Sequence, residues 1–150
     1  MKIIDISSLT KKEKKAIDEC IKAREKGYAP YSKFKVGASV ISVSGKIYKG
    51  CNVESADYTL TAHAEMNAIN SMILAGERYL KSIFVCFVSK ELPVPCGLCR
   101  QKILEFSKNS EISIFGIQLS HKCKIEKIFH FTLKELLPFP FSKSQFKESE

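Results

Sequence analysis

The chain has 150 residues, 45% hydrophobic and 27% charged, a length suited to one domain and a balance that excludes wholesale disorder. At this size roughly 70% of the unfolded chain's surface can be buried, so a core forms without disulfide staples. The 24 Lys and Arg against 16 Asp and Glu give a net charge of +8. No uncharged stretch reaches the ~18 residues of a membrane span, the longest running from Met66 to Gly76.

Along the chain, Met1 to Ser8 carries an acid within its short apolar stretch and no small-residue cleavage site, so it does not read as a signal peptide. Thr10 to Lys26, rich in Lys, Glu and Ala, is predicted to be an amphipathic helix capped by Thr10 and ended by Gly27. A turn-rich link, Tyr28 to Ser32, leads to two strand-like runs, Phe34 to Val43 and Lys46 to Cys51, joined at Ser44-Gly45. Ala62, Met66, Ile69 and Ile73 recur at helical spacing and predict a helix over 62–75, with Gly76 as its stop. Ser82 to Ser89 is apolar without alternation, as a central strand covered on both faces should be. Pro95 is expected to open a short helix to about Phe106. Two further strands (111–117 and 125–131) and a final short helix (133–137) complete an α-β-β-α-β-α-β-β-α order. Such an order describes one α/β domain over 1–150, a three-layer sandwich with a mixed five-stranded sheet flanked by helices. Residues from about 142 to 150 read as a loose tail.

The basic excess gathers near the ends, at Lys11, Lys12, Lys14 and Lys15 and at Lys134, Lys143 and Lys147. Solvated faces explain it, and a polyanion partner is the alternative that charge alone does not decide. Of six cysteines, Cys20, Cys51, Cys86 and Cys123 stand singly, which suits reduced thiols and a cytoplasmic chain. Cys96 and Cys99 differ, being three apart at the start of a predicted helix, where both thiols can point to one side of the first turn. Unpaired N–H groups and positive potential at such a terminus favour the thiolate. His63 stands at the start of the other central helix. Two helix N-termini meeting at one point would assemble a Cys₂His set with the fourth position open, the catalytic form of a zinc site. A structural zinc and a metal-free redox pair are the alternatives; no fourth ligand lies at suitable spacing, which favours chemistry. Glu65, two residues after His63, converges with it only if the metal lies off the helix end. Glu65 then stands beside the open position as a proton carrier, the rival role being an acid that offsets the helix dipole.

His63-Ala64-Glu65 followed by Pro95-Cys96-Gly97-Leu98-Cys99 reproduces the H-x-E…P-C-x-x-C signature of zinc nucleobase deaminases. Together with Tyr31 to Ala38, Gly50 to Glu54, Pro95 to Gln101 and Glu135 to Phe139, it makes the chain resemble the cytidine deaminases over roughly Ala23 to Phe141. The resemblance implies one Zn²⁺ per subunit, pyrimidine salvage and hydrolytic deamination of cytidine or 2′-deoxycytidine with release of ammonia. It assigns His63, Cys96 and Cys99 to the metal and Glu65 to catalysis. The Asn52-Val53-Glu54 stretch would bind ribose, with Asn52 and Glu54 reaching the sugar hydroxyls. Phe34 would pack near the nucleoside, and backbone N–H groups near Ala64 would hold the pyrimidine carbonyl. Phe141 resembles the C-terminal aromatic that closes a neighbour's site in a homotetramer.

Small members of this family usually carry Cys where His63 stands and Arg where Met66 stands. The two departures are consistent with each other: three thiolates on Zn²⁺ sum to −1 and call for a compensating arginine, whereas two thiolates and a neutral imidazole sum to zero. Ser55-Ala-Asp-Tyr58 also departs from the usual Asn-Ala-Ser-Tyr. A deaminase acting on RNA or single-stranded DNA is the first rival, using the +8 charge for phosphates. Against it, the acid at Glu54 stands where a phosphate would approach, so a nucleic-acid partner is not expected. A non-enzymatic, zinc-stabilised binding module is the second rival.

Overall fold

Thr10 and Glu13 start the first long helix. The Thr10 hydroxyl accepts the Glu13 N–H at 3.2 Å, and the Glu13 carboxylate accepts the Thr10 N–H at 2.8 Å. This reciprocal cap satisfies two donors that a helix start leaves open. From it runs α1 (Lys11–Glu25), burying Ala16, Ile17, Cys20 and Ala23 along one stripe.

The computed structural model describes residues 1–142 and 145. Its strands are β1 (Lys2–Ile4), β2 (Gly37–Ser42), β3 (Ile47–Cys51), β4 (Leu80–Val88), β5 (Ser113–Leu119) and β6 (Ile125–Thr132). They form one sheet in the order β1-β6-β5-β4-β2-β3. β4 and β5 pair in parallel and the other neighbours antiparallel, so the sheet is mixed. Helix α1 covers one face, where Ile17 and Cys20 pack with Phe84, Cys86, Phe115 and Ile117. Helices α2 (Ala64–Leu74), α3 (Gly97–Glu105) and α4 (Leu133–Leu136) lie on the other, where Ala68, Ile69 and Met72 pack with Ile83, Ile103 and Ile114. The unbroken apolar run of β4 follows from this arrangement: Ile83 enters one core while Phe84 and Cys86 enter the other.

The three-layer α/β sandwich matches the expected class, but the sheet has six strands rather than five. The extra one, β1, is three residues long and pairs with the distant β6, Lys2 opposite His130. So short a segment carries no periodicity of its own. Element ends also shift for local reasons. The helix expected from Ala62 begins at Ala64, because Ala62 pairs with Val53 in an isolated bridge. The strand expected from Phe34 begins at Gly37, because residues 34–36 are tied to the Asn52 side chain. The helix expected from Pro95 begins at Gly97, with Cys96 as its N-cap residue. Apart from Ser142 and Gln145, the expected tail lies outside the described residues, as do Lys143 and Lys147. Among the described residues, no helix is long and apolar enough to cross a membrane.

Candidate active site

Two close approaches of backbone to backbone bring the helix starts together. At Gly50 in β3 a Cβ would fall 2.3 Å from the Ala68 nitrogen and 2.6 Å from the Ala64 oxygen, so glycine lets α2 settle directly on the strand. At Gly116 in β5 a Cβ would fall 1.9 Å from the Pro93 oxygen, so glycine lets the segment before Cys96 cross the sheet. Arg100 then fixes that segment, its Nε donating to the Pro95 carbonyl at 2.7 Å and a terminal nitrogen donating to the Leu136 carbonyl at 3.0 Å.

His63 is the N-cap residue of α2 and Cys96 that of α3, with Cys99 in the first turn of α3. His63 Nδ1 lies 3.3 Å from Cys96 Sγ and 3.4 Å from Cys99 Sγ. The three ligand atoms all fall within 4.8 Å of one another, and among the described residues the group comprises these three. Cys99 is buried, His63 half-buried and Cys96 exposed. Glu65, in the first turn of α2, is only 5% exposed, and the Cys99 thiol stands on the side of its carboxyl where it favours the ionised form. Burial pushes the Glu65 carboxyl above its ordinary range. Burial first, then the Glu65 and Cys96 charges, push the Cys99 thiol up as well. Two thiols and a buried carboxyl beside a half-buried imidazole concentrate potential negative charge that a divalent cation would stabilise, since a coordinating thiol is deprotonated outright. The donor set, two sulfurs and one imidazole with a single position left, fits catalytic zinc.

Above the group opens a cavity of about 330 Å³ lined by Ser32, Phe34, Val36, Asn52, Glu54, Thr61, His63, Ala64, Glu65, Phe87, Val94 and Cys96. The size suits a small molecule. Of the residues anticipated from the sequence, Phe34, Asn52, Glu54, Ala64 and Glu65 converge on it. Val53 does not, because side chains alternate along the extended 52–54 segment and the middle one is exposed. Nor does Phe141 reach this chain's own cavity; its carbonyl accepts from Gln101 at 2.7 Å.

Asn52 spans a backbone gap, its amide donating to the Phe34 carbonyl at 2.8 Å while its oxygen accepts the Val36 N–H at 2.9 Å. Glu54 Oε2 accepts the N–H groups of Tyr31 and Ser32 at 3.0 and 3.2 Å, and Oε1 accepts the Ser32 hydroxyl. These bonds, the Ser32 hydroxyl foremost, hold the Glu54 carboxyl below the usual range, so it is an anion at neutral pH. Sequence reasoning missed Ser32, Val36, Thr61, Phe87 and Val94. Phe87 packs against Phe34 with ring centroids 5.1 Å apart, and its only sequence signal was its place at the end of an apolar run.

Residues 10–115 match the model of a family described as the cytidine and deoxycytidylate deaminase zinc-binding region. A cytidine deaminase of Sporosarcina psychrophila is 41% identical over 129 residues, covering 86% of this chain and 90% of that protein. One from Mycoplasma genitalium is 36% identical, covering 80% and 88%. The crystal structure of cytidine deaminase from Burkholderia pseudomallei superposes with a TM-score of 0.78 at 35% identity, covering 89% of this chain and 100% of that one.

Proposed function

Because this chain belongs to the zinc-dependent cytidine deaminase family, we propose that Glu65 is its proton carrier, that His63, Cys96 and Cys99 hold the zinc, and that Asn52 and Glu54 bind the sugar. The chain is a hydrolase: it replaces the 4-amino group of cytidine with oxygen, consumes one water and releases ammonia. It binds one zinc ion. The ion supplies Lewis-acid chemistry, making a water acidic near neutral pH.

The chain's own groups do the rest. The buried Glu65 carboxylate accepts a first proton from the attacking water and carries it to ring N3, then takes the second from the new C4 hydroxyl as that becomes the carbonyl and passes it to the departing amine. A carboxyl group placed for such transfers contributes on the order of 10²–10⁴-fold. Ala64 lines the cavity at the first position of α2, where an N–H has no acceptor within the helix, so it is free to hold the pyrimidine carbonyl. Phe34 and Phe87 supply the apolar wall for the ring. Glu54, ionised and aimed into the cavity, accepts from sugar hydroxyls. Cytidine and 2′-deoxycytidine both carry a 3′-hydroxyl, so both are substrates on this reading. A base within a polynucleotide fits poorly, because its phosphodiester would meet the Glu54 carboxylate.

The observation that carries the assignment is the buried Glu65 carboxylate against Cys99, beside three ligand atoms gathered at two helix starts. Six free thiols support a reducing, cytoplasmic setting, and the continuous sheet supports one domain over 1–150. The subunit is read as part of a homotetramer in which Phe141 completes a neighbour's cavity. In the Glu65→Gln variant, zinc stoichiometry and melting temperature are expected to stay at wild-type values while ammonia release from cytidine falls at least 10²-fold. An unimpaired rate would remove Glu65 from the mechanism. An oligonucleotide containing cytosine, assayed alongside free cytidine, is expected to release no ammonia.

A further inference from the structure

We infer that Ser32 is a positioning residue for substrate recognition, its single hydroxyl holding the Glu54 carboxylate and the Phe34 backbone in register at the sugar end of the cavity. The inference rests on the reading of Glu54 as a sugar-binding residue and adds to it the group that orients Glu54.

The geometry is specific about direction. The Ser32 O–H donates to Glu54 Oε1, and the Ser32 oxygen in turn accepts the Phe34 N–H at 2.9 Å. Glu54 Oε2 is already occupied by the N–H groups of Tyr31 and Ser32. An ionised carboxylate has about four acceptor positions, so Oε1 keeps one lone-pair direction for a ligand hydroxyl, and the Ser32 hydroxyl selects which one. The same segment carries an unfavourable backbone: Lys33, between Ser32 and Phe34, has φ of 60°. A lysine in that region persists only when its surroundings over-determine it. Here the restraints are the Lys33 N–H on the Ala29 carbonyl, the two sides of the Ser32 hydroxyl, and Asn52 gripping residues 34 and 36.

Without the hydroxyl, the two backbone donors still anchor Oε2, but Oε1 is free to turn and the Phe34 N–H loses its acceptor. Losing a hydrogen bond to a charged group is felt on the order of tenfold. The loss should fall on KM rather than kcat, because Glu65 and the zinc ligands stand on other elements.

The test compares cytidine with 2′,3′-dideoxycytidine, which lacks the 2′- and 3′-hydroxyls and keeps the 5′-hydroxyl, in wild type and in Ser32→Ala, Ser32→Thr and Glu54→Ala. The expected result is a Ser32→Ala variant whose KM for cytidine rises about tenfold, whose KM for the dideoxy compound rises far less, through the Phe34 backbone alone, and whose defect Ser32→Thr repairs. If Ser32→Ala weakens both substrates alike, or Thr brings no repair, the hydroxyl is merely structural and the inference is overturned. If Glu54→Ala abolishes the preference for cytidine while Ser32→Ala retains it, the sugar reading of Glu54 stands and the role of Ser32 falls. If Glu54→Ala leaves the preference intact, the sugar reading itself fails and takes this inference with it.

Discussion

Glu65 and Phe87 mark the two extremes of what a residue reveals before folding. His63, Glu65, Cys96 and Cys99 are identifiable because metal and proton chemistry restrict them to few residue types, and each pair lies within one helix turn. Phe87 belongs to an apolar strand whose earlier members, Phe84 and Cys86, are core, and nothing local distinguishes the residue that emerges at the cavity. Only its meeting with Phe34, 53 positions earlier in the chain, gives it a role. Val53 errs in the opposite direction: its neighbours have a purpose, and alternation turns it away. Paired rings contribute contact area and about 0.5–1.5 kcal/mol beyond it. Phe87→Ala is therefore expected to raise KM for cytidine several-fold and to lower kcat much less, as steady-state kinetics would show. Unchanged constants would return Phe87 to the core.

At the scale of elements, the helices and the five longer strands were legible because each has its own period, cap or breaker. β1 was not, since its pairing with β6 is a property of the folded sheet. The crossing points were also hidden, because Gly50 and Gly116 have meaning only once α2 and the 89–95 segment lie over them. Both glycines face rigid backbone, so neither neighbour can yield cheaply. Gly50→Ala and Gly116→Ala are each expected to cost about 1–3 kcal/mol, the range for overpacking, and to lower the thermal midpoint. Gly116→Ala should also release zinc to a chelator sooner, since it displaces the segment that delivers Cys96; wild-type retention would contradict that coupling. Glu19 ties α1 to the edge strand β3 by a different means. Hydrogen bonds from Lys49 and then Lys22 pull its carboxyl down to about 2 from an ordinary 4.5. A carboxyl lowered in the folded state stabilises fully above its unfolded value and loses that contribution as pH falls through its folded value. The melting-temperature gap between wild type and Glu19→Gln is thus expected to be constant near neutrality and to close between pH 4.5 and about 2. A gap independent of pH would mean the pair stabilises by packing alone.

On the scale of the whole molecule, the segments that carry the cavity and the last described stretch of the chain expose large apolar side chains. Tyr31, Tyr58, Leu60, Leu98, Phe139 and Phe141 are all exposed, Phe139 to 94%. Tyr31 and Tyr58 meet edge to face with ring centroids 6.1 Å apart, and exposed apolar side chains that gather in this way mark interaction surfaces. In a closed symmetric assembly the same surface serves every subunit, so these side chains are where copies of the chain would meet in the proposed homotetramer. Phe141 makes that reading testable. Gln101, beside the Cys99 turn, anchors its carbonyl, yet Phe141 is 56% exposed and absent from the cavity of its own chain. If the ring completes a neighbour's cavity, Glu65→Gln subunits lack a proton carrier but still lend Phe141, while Phe141→Ala subunits keep Glu65 but lack a donor. Each variant alone should be impaired, the first almost completely and the second through a raised KM. Co-expressed, they should then form mixed assemblies in which some cavities pair an intact Glu65 with a neighbour's intact Phe141. Activity at low cytidine should then exceed the sum of the separate variants, and dilution below the assembly's dissociation range should remove the gain. A strictly additive mixture would place Phe141 within its own subunit's function or outside function altogether, and a fully active monomer would dismiss the shared cavity.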